Sequence, residues 1–146
     1  MNESNTAISA PLRLRLAAAA YDLLPLLGMW FVAAVLALAV TGGALDTHTL
    51  AGKLLVQGFA LALSAAYFVA SWSRGGQTIG MRAWRLRVVD AKGNRVPWPR
   101  AILRFFVALV SLAALGAGFW WALADTQGRT WHDRAARTRV LGLPKA

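Results

Sequence analysis

Three uncharged, strongly apolar stretches dominate the chain, at residues 23–41, 54–73 and 105–124. Each matches the ~20 residues that an α-helix needs to cross a ~30 Å hydrocarbon core. A helix that is apolar on every face needs either a large protein core or a bilayer around it. At 146 residues the chain is one domain's worth, too short to hide three such stretches in its own interior. Composition points the same way: 58% of residues are hydrophobic and 15% charged, against ~45–50% and ~25% in soluble domains. The first stretch does not read as a secretory signal, because it follows a polar leader, exceeds the ~7–15 residues of a signal core and precedes a second apolar run. The expected fold class is an all-α membrane protein. Two clear transmembrane helices are expected at about 14–41 and 53–73. A third apolar helical segment, spanning or re-entrant, is expected at about 99–124, with a small β-hairpin in the basic loop before it.

Net charge of +10 would suit a nucleic-acid binder, so placement has to decide. Residues 74–100 hold Arg74, Arg82, Arg85, Arg87, Lys92, Arg95 and Arg100 against Asp90 alone, and residues 125–146 hold Arg129, Arg134, Arg137, Arg139 and Lys145. Between the first two runs Lys53 is the sole base. Bases gathered beside apolar runs follow the positive-inside rule. The basic loop 74–100 is therefore expected on the cytoplasmic side of a bacterial inner membrane. Arg82, Arg85, Arg87, Arg100 and Arg104 read as topology determinants facing anionic lipid headgroups. The lipid bilayer is the expected partner and nucleic acid is not. If 105–124 crosses once, the basic loop and basic tail lie on opposite sides. If it bends back at "GAG" (116–118), every basic cluster shares one side. Charge favours the second path and the frequency of simple crossings the first.

Residues 1–11 read as a flexible polar start and 142–146 as a tail. Pro25 removes the hydrogen bond to the Tyr21 carbonyl inside the first helix and should kink it there. Gly58, Ala62, Ala66 and Ala70 form a small-residue stripe suited to close helix contact. Trp72, Trp120 and Trp121 fall where interfacial belts place aromatic residues. "GGQTIG" is expected to end the second helix and permit a turn, with a short helical turn over 78–84. "LRVVD" and "RVPW" flank "AKGN" as a loop hairpin over 85–98, with Pro97 confining the second strand to an edge. Pro99 suits the first turn of the next helix. "TRVLGL" is a third short strand candidate, able to join the hairpin if the tail returns to that side.

The adjacent His132 and Asp133 invite a catalytic reading, but no nucleophile motif, HExxH or GxSxG accompanies them. Adjacent side chains also diverge on a helix or strand. There are no cysteines, which removes thiolate chemistry and disulfides. No enzyme activity, cofactor or metal site is expected.

Four segments, "RLAAAAYD" (15–22), "GQTIGMRAWRLRVVDAKGNRV" (76–96), "RAILR" (100–104) and "TWHDRAARTRVL" (130–141), together resemble the RDD family of small bacterial membrane proteins. The resemblance spans residues 13–141, so the membrane domain is set at 12–141. Its namesake arginine and two aspartates fall on Arg15, Asp22 and Asp133. "AART" stands where the family more often has an "AGT"-like ending. The likeness implies a multi-pass membrane protein; for function it carries no more than a transport role proposed for the family from its membrane context, with cation/proton antiport linked to some members.

Arg15 and Asp22 lie two helical turns apart on one face, about 10 Å along the axis, too far for a direct pair. Asp133 is the natural partner of Arg15 if the tail folds back, since a guanidinium and a carboxylate pair through two hydrogen bonds. Asp22 costs little at an interface. Deeper in the bilayer, where the resemblance places it, it becomes a functional candidate. Tyr21, whose carbonyl Pro25 frees beside that carboxylate, and His132 are secondary candidates. Two readings follow. In one the protein moves small cations or protons through Asp22 with Arg15 and Asp133, and three helices then require a homo-oligomer or a membrane partner. In the other it is a non-transporting scaffold or accessory protein whose charged trio is structural.

Overall fold

A computed structural model describes residues 9–144. Of the flexible start expected over 1–11, residues 1–8 lie outside the described residues. The remainder is anchored: Ala10 is buried, and its N–H donates to the Val140 carbonyl at 2.7 Å.

Helix α1 (Leu12–Val40) follows Pro11 and runs through Pro25 as one element. Helix α2 (Leu50–Arg74) starts where the Thr49 hydroxyl accepts from the Gly52 N–H at 3.1 Å. Both are long and apolar enough to cross a membrane. Leu24, Phe31 and Leu54 are among the many large apolar side chains they expose, as a lipid-facing surface requires. The two helices pack through Ala33 and Ala37, both fully buried, and through Trp30, whose indole N–H donates to Ser64 at 3.0 Å. The expected Gly58–Ala62–Ala66–Ala70 stripe does not make this contact. Gly58, Ala62 and Ala66 are exposed, because the face that packs carries Ala60, Ser64, Phe68 and Trp72, half a turn away.

After α2 comes a short helix, α3 (Ile79–Ala83), then strand β1 (Leu86–Asp90). Helix α4 (Trp98–Ala113) has Pro99 in its first turn, as expected. Leu115 and Gly116 then take positive φ (55° and 77°), a pair of left-handed residues that ends α4. Helix α5 (Ala117–Trp120) and a 3₁₀ turn (Trp121–Leu123) leave at 106° to α4. The third apolar segment is thus bent at the "GAG" position. Helix α6 (Trp131–Ala135) and strand β2 (Thr138–Gly142) complete the chain.

The small antiparallel pair is present, but its second strand differs from the expected hairpin over 85–98. β1 pairs with β2, Val88 opposite Val140. Residues 95–97 form no strand, since Asp90 closes a tight turn with Asn94 instead (2.9 Å). The third strand candidate is the one used. Pairing with the tail buries Val88 and Val140 together with Leu86, Val96, Ala101, Phe105 and Trp72. The protein's own core therefore lies at the loop-and-tail end of the helices. Trp72, expected in an interfacial belt, is part of that core, whereas Trp120 and Trp121 are exposed.

The two strand-bearing segments are copies of one pattern. Gly76, Thr78, Arg82, Ala83, Arg85, Arg87 and Val88 recur as Gly128, Thr130, Arg134, Ala135, Arg137, Arg139 and Val140. In each copy a glycine at positive φ precedes a threonine N-cap, a five-residue helix, an arginine at φ 53° and a five-residue strand. The antiparallel pairing relates the copies by a local two-fold through Val88 and Val140.

Candidate functional site

Each copy of this pattern is fastened to α1 by one of the charged residues singled out from the sequence. The second copy is held through Asp133. Thr130 and Asp133 form a capping box, the carboxylate accepting from the Thr130 N–H at 3.1 Å and the hydroxyl from the Asp133 N–H at 3.4 Å. The same carboxylate then pairs with Arg15 from α1 through Oδ2 and with Arg104 from α4 through Oδ1. Arg15 also donates to the Gly128 carbonyl (3.0 Å) and to the Thr130 hydroxyl (3.3 Å). Its two terminal nitrogens thus reach a backbone carbonyl, a hydroxyl and a carboxylate at once, and it meets Asp133 through one nitrogen and not through the expected two hydrogen bonds. Arg104 donates to Thr138 at 2.7 Å and lies 4.9 Å from the centre of the Trp72 ring. One buried carboxylate therefore joins α1, α4 and α6.

Arg104 was expected at lipid headgroups. It is instead 1% exposed. It sits on the α4 face carrying Ala101 and Phe105, which are buried in the core, and a guanidinium on that face needs an anion. The signal that could have found it is arithmetic: Asp133 has two oxygens and Arg15 reaches one of them. Arg82, Arg85 and Arg87 are exposed, and Arg100 is half-buried, so all four remain available to headgroups. Arg134, in the tail motif, is exposed and reaches Asp125 at 3.7 Å.

Asp22 belongs to the first copy. Its Oδ1 accepts from the Tyr67 hydroxyl (2.7 Å) and the Gly80 N–H (2.8 Å), and its Oδ2 from the Thr78 hydroxyl (2.6 Å). It is 3% exposed. Arg15 and Asp22 are thus not partners of each other; each holds a different copy of the pattern against one face of α1. Tyr67 and Thr78 were not anticipated. The Tyr21 ring points away, half-exposed and edge-on to Trp84. Among the described residues no cluster of three or more His, Asp or Glu could hold a metal ion.

His132 lies 4% exposed with its ring 4.9 Å from that of Phe119. Burial, reinforced by the positive charges of Arg104 and Arg15, pushes its pKa down to about 3, against the opposing pull of Asp133. Burial alone would raise the Asp133 carboxyl, but Arg104 and Arg15 outweigh it and hold Asp133 well below the usual carboxylate range. Both groups bind fewer protons folded than unfolded, so acid favours the unfolded chain. For His132 the loss begins as pH falls below its ordinary value of 6.5 and continues to about 3, with a limiting slope of about 1.4 kcal/mol per pH unit. Asp133 adds to it only below 3.8. Thermal unfolding in detergent should therefore show a midpoint that drops between pH 6.5 and 4, and His132→Phe should flatten that interval. Equal slopes in the two proteins would contradict a neutral, buried His132.

A model of the RDD family matches residues 9–137, most of the chain. No curated protein and no solved structure matches it.

Proposed function

The chain belongs to the RDD family, and from that premise we propose that Arg15, Asp22 and Asp133 are structural, in a non-transporting scaffold or accessory protein of the bacterial inner membrane. The observation that carries this reading is the set of groups facing the two carboxylates. Asp22 meets three hydrogen-bond donors, and Asp133 meets two arginines and a backbone N–H. Donors of this kind stabilise a fixed anion. A cation at Asp22 would have to displace these donors. The clasps also join elements far apart in sequence, which is what a scaffold needs from them.

The same reading gives a topology. Arg104, in the first half of α4, meets Asp133 beyond the bend, so the chain turns back toward the N-terminal end of α4. We place the bent segment as re-entrant, with the basic loop and basic tail together on the cytoplasmic side, against anionic headgroups. Re-entrant backbone needs protein around it, and α5 packs on α4 and α6. The partner of such a scaffold is another membrane protein or a further copy of this chain, and no catalytic role is assigned.

Cation-dependent proton flux in liposomes tests the proposal, with Na⁺, K⁺ and Li⁺ tried across a pH gradient and wild type beside Asp22→Asn. Wild-type protein shown to be folded should give no flux above empty liposomes. Asp22→Asn should stay folded but lose about 1–3 kcal/mol of stability, because a neutral amide accepts more weakly and turns a donor toward donors. Wild-type flux that vanishes in a folded Asp22→Asn protein would reverse the proposal in favour of transport.

A further inference from the structure

Helices α1, α2 and α4 enclose a partly open cavity of ≈ 520 Å³. Along α1 its wall runs from Arg15 to Trp30, about 22 Å at 1.5 Å per residue. Leu26, Leu61, Phe105 and Leu109 are typical of the lining, which is the lining of a site for a hydrocarbon chain. One end is different. Trp72, Arg104 and His132 line it close to Val140 of the strand pair. The Trp72 indole nitrogen, Arg104 Nε and His132 Nδ1 are all buried, and none has a hydrogen-bond partner among the described residues.

Buried polar atoms without partners are rare in folded proteins, and each calls for a cause. All three lie on side chains lining one end of one cavity, and two of them, on Trp72 and Arg104, are donors that a single acceptor can serve. Ordered water can serve the nitrogens themselves, but it does not fill the apolar length of the cavity, which suits a hydrocarbon chain. Charge narrows the chemistry further. The charged lining residues are Arg15, Arg104 and Asp22; Asp22 is engaged by three donors, and Asp133 behind the wall offsets one of the two arginine charges and leaves the other. The Trp72 end therefore holds donors and net positive charge just behind the apolar wall of the channel.

We propose that this cavity binds a single-chain amphiphile of the fatty-acid class. Its carboxylate accepts from the Trp72 indole N–H and Arg104 Nε–H, and its chain lies along α1 toward Trp30. Small shifts of the two side chains bring their nitrogens to the head. The inference is independent of the structural role given to the charged trio, since Arg104 holds Asp133 through Nη1 and uses Nε here.

The test uses the full-length protein in nanodiscs of neutral phosphatidylcholine, with a fatty acid carrying a photoactivatable diazirine in its chain. Labelled residues are mapped by mass spectrometry. Labelling at Leu61 and Leu109 should saturate, and excess oleate should displace it where methyl oleate does not. Trp72→Phe keeps an aromatic ring against Phe68 and removes the donor. It should raise the half-saturating concentration roughly tenfold, the weight of one hydrogen bond to a charged group. Ala108→Phe, which fills the cavity, should abolish the signal. Labelling that falls equally on the exposed Leu24 and Phe31 and resists oleate would mean bulk lipid only, and would overturn the proposal. Equal displacement by methyl oleate, or an unchanged half-saturation in Trp72→Phe, would overturn the head-group assignment.

Discussion

Asp133→Asn is expected to leave little or no cooperatively folded protein, although it exchanges one oxygen for a nitrogen of nearly the same size. Asp133 is 0% exposed and is the single acidic partner of both Arg15 and Arg104 among the described residues. Without its charge, two buried guanidiniums face each other with nothing between them but an amide. Breaking one buried pair by removing a partner costs about 3–5 kcal/mol. Here one substitution breaks two, and it also weakens the capping box that starts α6. That sum is comparable to the whole stability of an ordinary domain. The measurements are yield, monodispersity and thermal unfolding in detergent. Adding Arg15→Leu to the Asp133→Asn chain should recover part of the loss, because it removes one of the two uncompensated buried charges. An Asp133→Asn protein that melts within about 1 kcal/mol of wild type would show that the two arginines find other partners, and the clasp would lose its central place.

Gly80→Ala is the second large effect, and a pair of glycines makes it sharp. A Cβ at Gly80 would run into the Ala18 carbonyl of α1, with its carbonyl carbon at 2.8 Å and Asp22 Cγ at 3.0 Å. The obstacle is backbone, which no side-chain rotation relieves. Either α3 moves off α1 or the Gly80 N–H to Asp22 hydrogen bond breaks, and overpacking of this kind costs about 3 kcal/mol. At Gly58, also in a helix, nothing lies within 4 Å of the same added atom. Gly58→Ala should therefore be neutral or stabilising by up to about 1 kcal/mol through helix propensity. The check is a thermal-unfolding comparison of the two variants in one detergent. Similar midpoints for both would mean that α3 is not seated on α1 as described.

The repeated pattern explains why these two sites matter so much. Gly80 and His132 occupy equivalent positions in the two copies, as do Met81 and Asp133. In the first copy the helix offers its backbone to a carboxylate on α1. In the second it offers a carboxylate to a guanidinium on α1. The equivalent threonines take part in both anchors, Thr78 donating to Asp22 and Thr130 accepting from Arg15, two turns apart on one helix. That repetition is visible in the sequence once Gly76–Val88 is set beneath Gly128–Val140.

What the sequence alone determined is whatever depends on short range and on solvent. Residues 23–41 and 54–73 have no charge to place, so helices with lipid-facing sides were the available outcome, and α1 and α2 follow. Glycine and proline set the punctuation: the break after α2, the proline in the first turn of α4 and the bend at Gly116 all stand where those residues put them. The Arg15–Asp133 pair was legible as well, because Arg15 had no local acidic neighbour and the tail carried a matching carboxylate. Tertiary structure alone decided the rest. β1 could pair with its neighbour or with the tail, and the choice fell to burial of Val88 against Val140, a contact between residues far apart in the chain. Arg104 looked like its exposed neighbours Arg82 and Arg85, and only the face it occupies on α4 made it an interior ion. Asp22 gave no sign of its donors, because Tyr67, Thr78 and Gly80 come from another helix and another turn. The physical reason is common to all three. Solvent and local propensity act on a residue through its own chemistry, whereas a hydrogen bond or an ion pair acts through whatever the fold brings opposite.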